Sequence, residues 1–191
     1  MAKTPSSMLP LGTLAPEFSL MDTVTGKFVR FSHKNDNIGT VIFFICNHCP
    51  YVKHVNPELV RISNDYIPKG IRFIAINAND VSHYPDDSPE KMRAIALELG
   101  YPFPYLFDET QEVAMAYQAK CTPDFYVFDK ENCLVYRGQL DDSRLGNSIK
   151  VNGQSIRTTL DNLLANVPVN PDNQKPSLGC NIKWKPENIG C

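Results

Sequence analysis

The run Thr40-Val41-Ile42-Phe43-Phe44-Ile45 is apolar throughout and rich in β-branched and aromatic residues, which predicts a buried strand. Residues 17–21 and 27–31 predict two short strands before it, separated by a turn containing Gly26. From Pro50 the period changes. Val52, Val55, Leu59, Ile62 and Tyr66 recur at helical spacing, so the pattern predicts a helix over about 50–66, interrupted by a kink at Pro57. Residues 71–76 read as another apolar strand. Ser88-Pro89-Glu90 then starts a helix carrying Met92, Ile95, Ala96 and Leu99 on one face and stopping at Gly100. A shorter helix is expected from Asp108, its cap, to Ala119, with Gln111 completing a capping box. Residues 125–129 and 133–137 flank the turn Lys130-Glu131-Asn132 and predict an antiparallel hairpin. Ile156, Leu160, Leu163 and Leu164 mark a closing helix.

This order puts a parallel β-α-β crossover beside an antiparallel pair. It predicts an α/β fold with a mixed central sheet covered by helices on both faces. After Val167 the periodicity ends, and Pro168, Pro171, Pro176 and Pro186 punctuate a polar segment. The expected division is a domain over 1–167 and a Pro-rich tail over 168–191 that packs on it, with Trp184 as an apolar anchor. The first dozen residues read as an extended lead-in.

With 191 residues the chain can bury one full core plus an appendage. Its net charge of −2 gives no electrostatic case for nucleic acid, and no basic run or long apolar stretch suggests a membrane. The N-terminal Met1-Ala2-Lys3-Thr4-Pro5-Ser6-Ser7 lacks the apolar core of a secretory signal, which points to a cytoplasmic protein with reduced thiols. Six cysteines in that setting read as catalytic or accessory thiols rather than as a disulfide scaffold.

Chemistry concentrates in Cys46-Asn47-His48-Cys49-Pro50, directly after the buried strand. Pro50 suits the first turn of a helix, so both cysteines fall at a strand-to-helix junction where unpaired N–H groups favour a thiolate. A structural zinc site needs four ligands, usually from two paired clusters, and Cys121, Cys133, Cys180 and Cys191 form no second C-x-x-C. Inert core thiols are the other plain reading, and the polar Asn47-His48 pair argues against full burial. Dithiol redox chemistry is the reading kept.

Four segments resemble the thioredoxin-like superfamily, specifically its peroxiredoxin-like (alkyl-hydroperoxide-reductase/thiol-specific-antioxidant) branch. They are Gly12-Thr13-Leu14-Ala15-Pro16-Glu17-Phe18-Ser19-Leu20, the 43–50 segment, Cys121-Thr122-Pro123-Asp124-Phe125-Tyr126-Val127-Phe128-Asp129, and Ser177-Leu178-Gly179-Cys180-Asn181-Ile182-Lys183-Trp184-Lys185. The last resembles the ending of a peroxiredoxin-like subgroup with a C-x-x-C. The resemblance implies a thioredoxin fold with an N-terminal strand extension, an exposed nucleophile at Cys46 and a buried resolving thiol at Cys49. It also implies a cis Pro123, preceded by Thr122, that helps an extended substrate dock. His48 resembles the histidine of oxidising C-P-H-C sites, with a solvent-facing residue as the plain alternative.

Two departures weaken a peroxidase reading. Phe43 stands three residues before Cys46, where peroxiredoxins carry Thr, and their later arginine is absent. Thioredoxin itself is departed from as well, since there is no Trp-Cys-Gly-Pro-Cys and the strand before Cys46 has no acidic residue matching its buried proton acceptor. The expectation is therefore a thiol–disulfide oxidoreductase using a Cys46/Cys49 dithiol–disulfide pair. Its partners would be a disulfide-bearing protein or small thiol substrate and an unidentified reductant, with no cofactor and no metal. The alternatives are an antioxidant thiol peroxidase and a Cu(I) or soft-metal carrier using the two thiols with His48, His54 or the distal His83. Cys121, two residues before Pro123, is expected on the rim of the site as a third redox thiol or a packing residue. Cys133 reads as structural. Cys180 and Cys191 could form a bridge, shuttle to the site or merely pack the tail.

Overall fold

The computed structural model describes residues 3–34 and 36–189, so Cys191 lies outside the described residues. The chain begins with β1 (Lys3–Pro5), β2 (Phe18–Asp22), β3 (Phe28–Phe31) and β4 (Gly39–Phe44). The helix α1 (Pro50–Tyr66) leads to β5 (Ile71–Asn77), and α2 (Pro89–Leu99) leads to β6 (Tyr105–Phe107). There follow α3 (Glu112–Ala116), β7 (Cys121–Thr122), β8 (Asp124–Asp129), β9 (Leu134–Gly138), α4 (Gln154–Leu164) and β10 (Leu178–Asn181). Among the described residues no helix is long and apolar enough to cross a membrane.

Seven strands form the main sheet in the order β3-β2-β6-β5-β4-β8-β9. β4–β5 and β5–β6 are parallel and the other pairs antiparallel, the mixed sheet of a thioredoxin fold. β4 lies inside this sheet and is buried along its whole length, which is why its sequence is apolar without alternation. Its side chains still divide by parity. Val41 and Phe43 join the core under α1, α2 and α4, whereas Ile42 and Phe44 join the opposite core with Ala114 of α3. The five apolar residues predicted on the helix stripe of α1 are all buried. α2 starts on Ser88, whose hydroxyl accepts the Lys91 N–H, and ends at Gly100 with φ +64°, a conformation that suits glycine.

Two local expectations need correction. α3 has five residues, not twelve, and Gln111 is no capping-box partner. Gln111 takes a left-handed φ of +67°, and its buried amide donates to the carbonyls of Ala78 and Lys183. The Asp108 carboxylate instead accepts the Ala114 N–H at 2.8 Å. The 168–191 segment is also more than a cover. It supplies β10, which lies between β1 and β7 in a second, three-stranded antiparallel sheet. Trp184 packs against the second core, as the sequence suggested.

β8 opens on Asp124, a fully buried carboxyl that accepts a hydrogen bond from the Tyr126 hydroxyl at 3.0 Å. Burial pushes its pKa up to about 8, against partial opposition from Tyr126 and neighbouring N–H groups. The folded state therefore holds a proton that the unfolded chain releases above about pH 4, so this group costs stability as pH rises from there toward 8. Asp124→Asn is expected to remove a slope of up to about 1.4 kcal/mol per pH unit across that window. Urea unfolding at pH 5, 6 and 7 would measure it, and identical slopes in the two proteins would refute the assignment.

Candidate active site

The site forms where β4 ends and α1 begins. Cys49 is the N-cap of α1 and Pro50 its first residue, so the second cysteine faces the helix N-terminus. The Thr122–Pro123 bond is cis, as the resemblance implies, and Thr122 touches both sulfurs. Its hydroxyl lies 3.3 Å from Cys46 Sγ, and its carbonyl oxygen lies 3.2 Å from Cys49 Sγ. Among the described cysteines none is in a disulfide.

Neither thiol is exposed. Cys46 is 1% and Cys49 0% accessible, which corrects the expectation of an exposed nucleophile. The polar residues between them do not imply solvent either, because protein groups satisfy them. The Asn47 side chain donates to the Asp86 carbonyl at 2.9 Å and accepts from the Tyr105 hydroxyl at 3.1 Å. The Asn47 N–H donates to the buried Asp87 carboxylate at 2.7 Å. Polarity in this motif is a docking device for the 86–87 loop.

His48 is not solvent-facing. Its Nδ1 forms an ion pair with Asp87 Oδ2 at 2.7 Å, without the alignment of a full hydrogen bond, and its ring stacks on Tyr84. Interaction with the Asp87 carboxylate raises the His48 pKa above the ordinary 6.5, partly opposed by burial. Burial pushes Asp87 up, but His48, Asn79 and the Asn47 N–H together hold it below the usual carboxylate value. A raised imidazole pKa stabilises the fold fully below about pH 6.5, and this contribution is lost as pH rises through the higher folded value. The stability difference between wild type and His48→Ala is therefore expected to shrink from pH 6 to pH 9. Denaturant midpoints across that range would test it, and a difference that grew with pH would contradict it.

The two thiols are electrostatically unequal. Cys46 is pushed up by donating its S–H to Cys49, by burial and by the nearby Asp87 carboxylate. Cys49 is pushed down to about 5, first by the Cys46 S–H, then by Cys180 and the Val52 N–H, which outweigh burial. The pair titrates as one unit, with its first ionisation favoured at the helix N-terminus.

One member of the site was missed in the sequence and another was left with its role open. Asp87 comes from a loop with no pattern to mark it. Cys180 comes from the tail, and its Sγ lies 3.0 Å from Cys49 Sγ. The sequence left its role open between a bridge, a shuttle to the site and tail packing. Conversely, Cys121 is fully buried, with its Sγ 3.7 Å from the Pro123 carbonyl, and does not stand on the rim. Cys133 lies outside β9, in a bridge to Leu14. His54 bonds Ser143 and the exposed His83 pairs with Asp80. Neither joins the group of Cys46, His48 and Asp87, whose ligand atoms lie within 4.8 Å of one another.

Residues 11–137 match the profile of the AhpC/TSA family. The chain belongs to the AhpC/TSA family. A crystal structure of an uncharacterised conserved protein from Geobacillus kaustophilus resembles this AhpC/TSA protein at 61% identity and a TM-score of 0.95, covering 97% of this chain and 98% of that one. A hypothetical protein from Sinorhizobium meliloti 1021 is 40% identical with a TM-score of 0.92, covering 96% and 99%. The thioredoxin domain of a thiol-disulfide oxidoreductase from Bacteroides vulgatus shares the fold at 15% identity and a TM-score of 0.61, covering 80% and 99%. No curated protein matches this AhpC/TSA chain.

Proposed function

We propose that this protein is a thiol–disulfide oxidoreductase in which Cys46 and Cys49 cycle between dithiol and disulfide. The observation that carries the reading is the pair of thiols at the start of α1, both held against Thr122, at 3.3 Å from its hydroxyl and 3.2 Å from its carbonyl oxygen. Cys46 attacks first. Its proton passes along the hydrogen bond to Cys49, so no outside base is needed. The Cys46 thiolate displaces one sulfur of the substrate disulfide and forms a mixed disulfide. Cys49, whose ionisation the start of α1 and the Val52 N–H still favour, then attacks Cys46 and releases the second substrate thiolate. The substrate gains two electrons, and a Cys46–Cys49 disulfide remains for an external dithiol to reduce. The substrate is a disulfide-bearing protein or small disulfide, and the cycle suits a reducing compartment such as the cytoplasm.

Trapping tests this order of attack. Cys49→Ser incubated with a disulfide substrate is expected to accumulate a mixed disulfide that peptide mapping places on Cys46. An adduct on another cysteine would refute the assigned nucleophile.

The peroxidase reading would use the same Cys46 thiolate, but Phe43 stands three residues before it, where the resemblance to peroxiredoxins calls for Thr. The soft-metal reading draws on the Cys46, His48 and Asp87 group. His48 Nδ1 already faces Asp87, and a carboxylate is a hard ligand that does not favour Cu(I). Anaerobically reduced protein is expected to surrender stoichiometric Cu(I) to a competing chelator. Retention that disappears in His48→Ala would support the carrier reading instead.

A further inference from the structure

Deepening the thiol–disulfide reading, on which it rests, we infer that Cys180 is a third redox thiol that takes over the disulfide from the active pair by bonding to Cys49. Its sulfur is already in contact with Cys49 Sγ, at 3.0 Å, and Cys180 is buried beside the pair.

The placement of Cys180 is built rather than incidental. Cys180 pairs with Thr122 and Asn181 with Cys121 in an antiparallel register. On its other edge β10 is held by β1, where Lys3 pairs with Cys180. Just before β10 the Ser177 hydroxyl donates to the Pro123 carbonyl at 2.5 Å, and the Ser6 N–H donates to the Ser177 carbonyl at 3.0 Å. Just after it the Ile182 N–H donates to the Lys120 carbonyl. Gly179 lets the two backbones meet, because a Cβ there would lie 1.9 Å from the Thr122 carbonyl oxygen.

The backbone edge of Thr122 is where an extended disulfide substrate would add itself as a strand. The chain's own residues 178–181 take that place and set the Cys180 sulfur against Cys49. This also accounts for the burial of Cys46 and Cys49.

The exchange balances without a further oxidant. Once substrate has left a Cys46–Cys49 disulfide, the Cys180 thiolate attacks Cys49 Sγ. A Cys49–Cys180 bond forms, the Cys46–Cys49 bond breaks, and Cys46 leaves with the electron pair as a thiolate. The proton from Cys180 goes to solvent or to the departing Cys46. Net electrons are unchanged, and the external dithiol of the proposed cycle then reduces the Cys49–Cys180 disulfide before the next turnover. Burial raises the Cys180 thiol to about 12 in the reduced site, together with its hydrogen bond to Cys49 and the Cys49 charge. The last two causes vanish when Cys49 enters a disulfide, while Lys183 continues to favour the thiolate.

Disulfide mapping decides the matter. The full-length reduced protein is oxidised anaerobically with one equivalent of diamide, quenched with acid, alkylated and digested. The expected wild-type map contains both 46–49 and 49–180 crosslinked peptides, with the 49–180 peptide lost in Cys180→Ala and retained in Cys46→Ser. A wild-type map holding 46–49 without 49–180 would overturn the inference while leaving the oxidoreductase reading intact. A map with neither would overturn both. The wild-type result decides alone if a variant fails to fold.

Discussion

Cys46→Ser is expected to lower disulfide-reductase turnover by a factor on the order of 10³ or more, to the background of the thiol reductant alone. The serine hydroxyl is nearly isosteric with the thiol, so Thr122 and Tyr105 keep their packing and the fold is retained. What is lost is the sulfur that must bond to substrate. A hydroxyl in this buried setting cannot ionise at neutral pH, and Cys49 beside it offers no route to the Cys46 mixed disulfide. Coupled reduction of a small disulfide by wild type and variant at equal concentration measures this directly. Turnover within about threefold of wild type would remove Cys46 from the mechanism.

The second large effect is expected at Gly179, far from Cys46 in sequence. A methyl group there would meet the Thr122 carbonyl oxygen at 1.9 Å and its carbon at 2.6 Å, and both are backbone atoms that cannot rotate away. Gly179→Ala must therefore separate β10 from β7. Overpacking of this kind costs about 1–3 kcal/mol. Because β10 covers the site, the thiols should open to solvent more often, and alkylation of Cys49 by iodoacetamide should accelerate by roughly tenfold or more. Unfolding curves and alkylation rates measured on the same preparation would check both statements. Unchanged stability with unchanged alkylation would show that the tail does not seal the thiols.

Hydrophobic pattern carried most of the fold. The stripe from Val52 to Tyr66, the buried run of β4 and the β8–β9 hairpin all rest on local periodicity, and each element lies where that periodicity placed it. β6 and β7 escaped because three and two residues leave no period to read. Gln111 misled because its spacing from Asp108 imitates a capping box, whereas its left-handed backbone turns the amide toward Ala78 and the tail. The cysteine pair and cis Pro123 were legible, since both belong to short contiguous motifs. The burial of Cys46, the Asp87 partner of His48 and the contact of Cys180 with Cys49 were not. Each depends on segments brought together only by tertiary folding, over 131 residues in the last case. Asn47 and His48 show the same limit from the other side, for their polarity is met by protein rather than by water.

The central claim is that Cys46 and Cys49 form a reversible two-electron couple. Equilibrating the protein against graded ratios of reduced and oxidised dithiothreitol or glutathione, followed by acid quench and mapping of the 46–49 crosslink, tests it most directly. The expected result is a reversible transition in which the oxidised-to-reduced ratio changes tenfold for about every 30 mV, approached equally from either side. Thiols at Cys46 and Cys49 that stay alkylatable across the whole series, with no 46–49 peptide at its oxidising end, would contradict it.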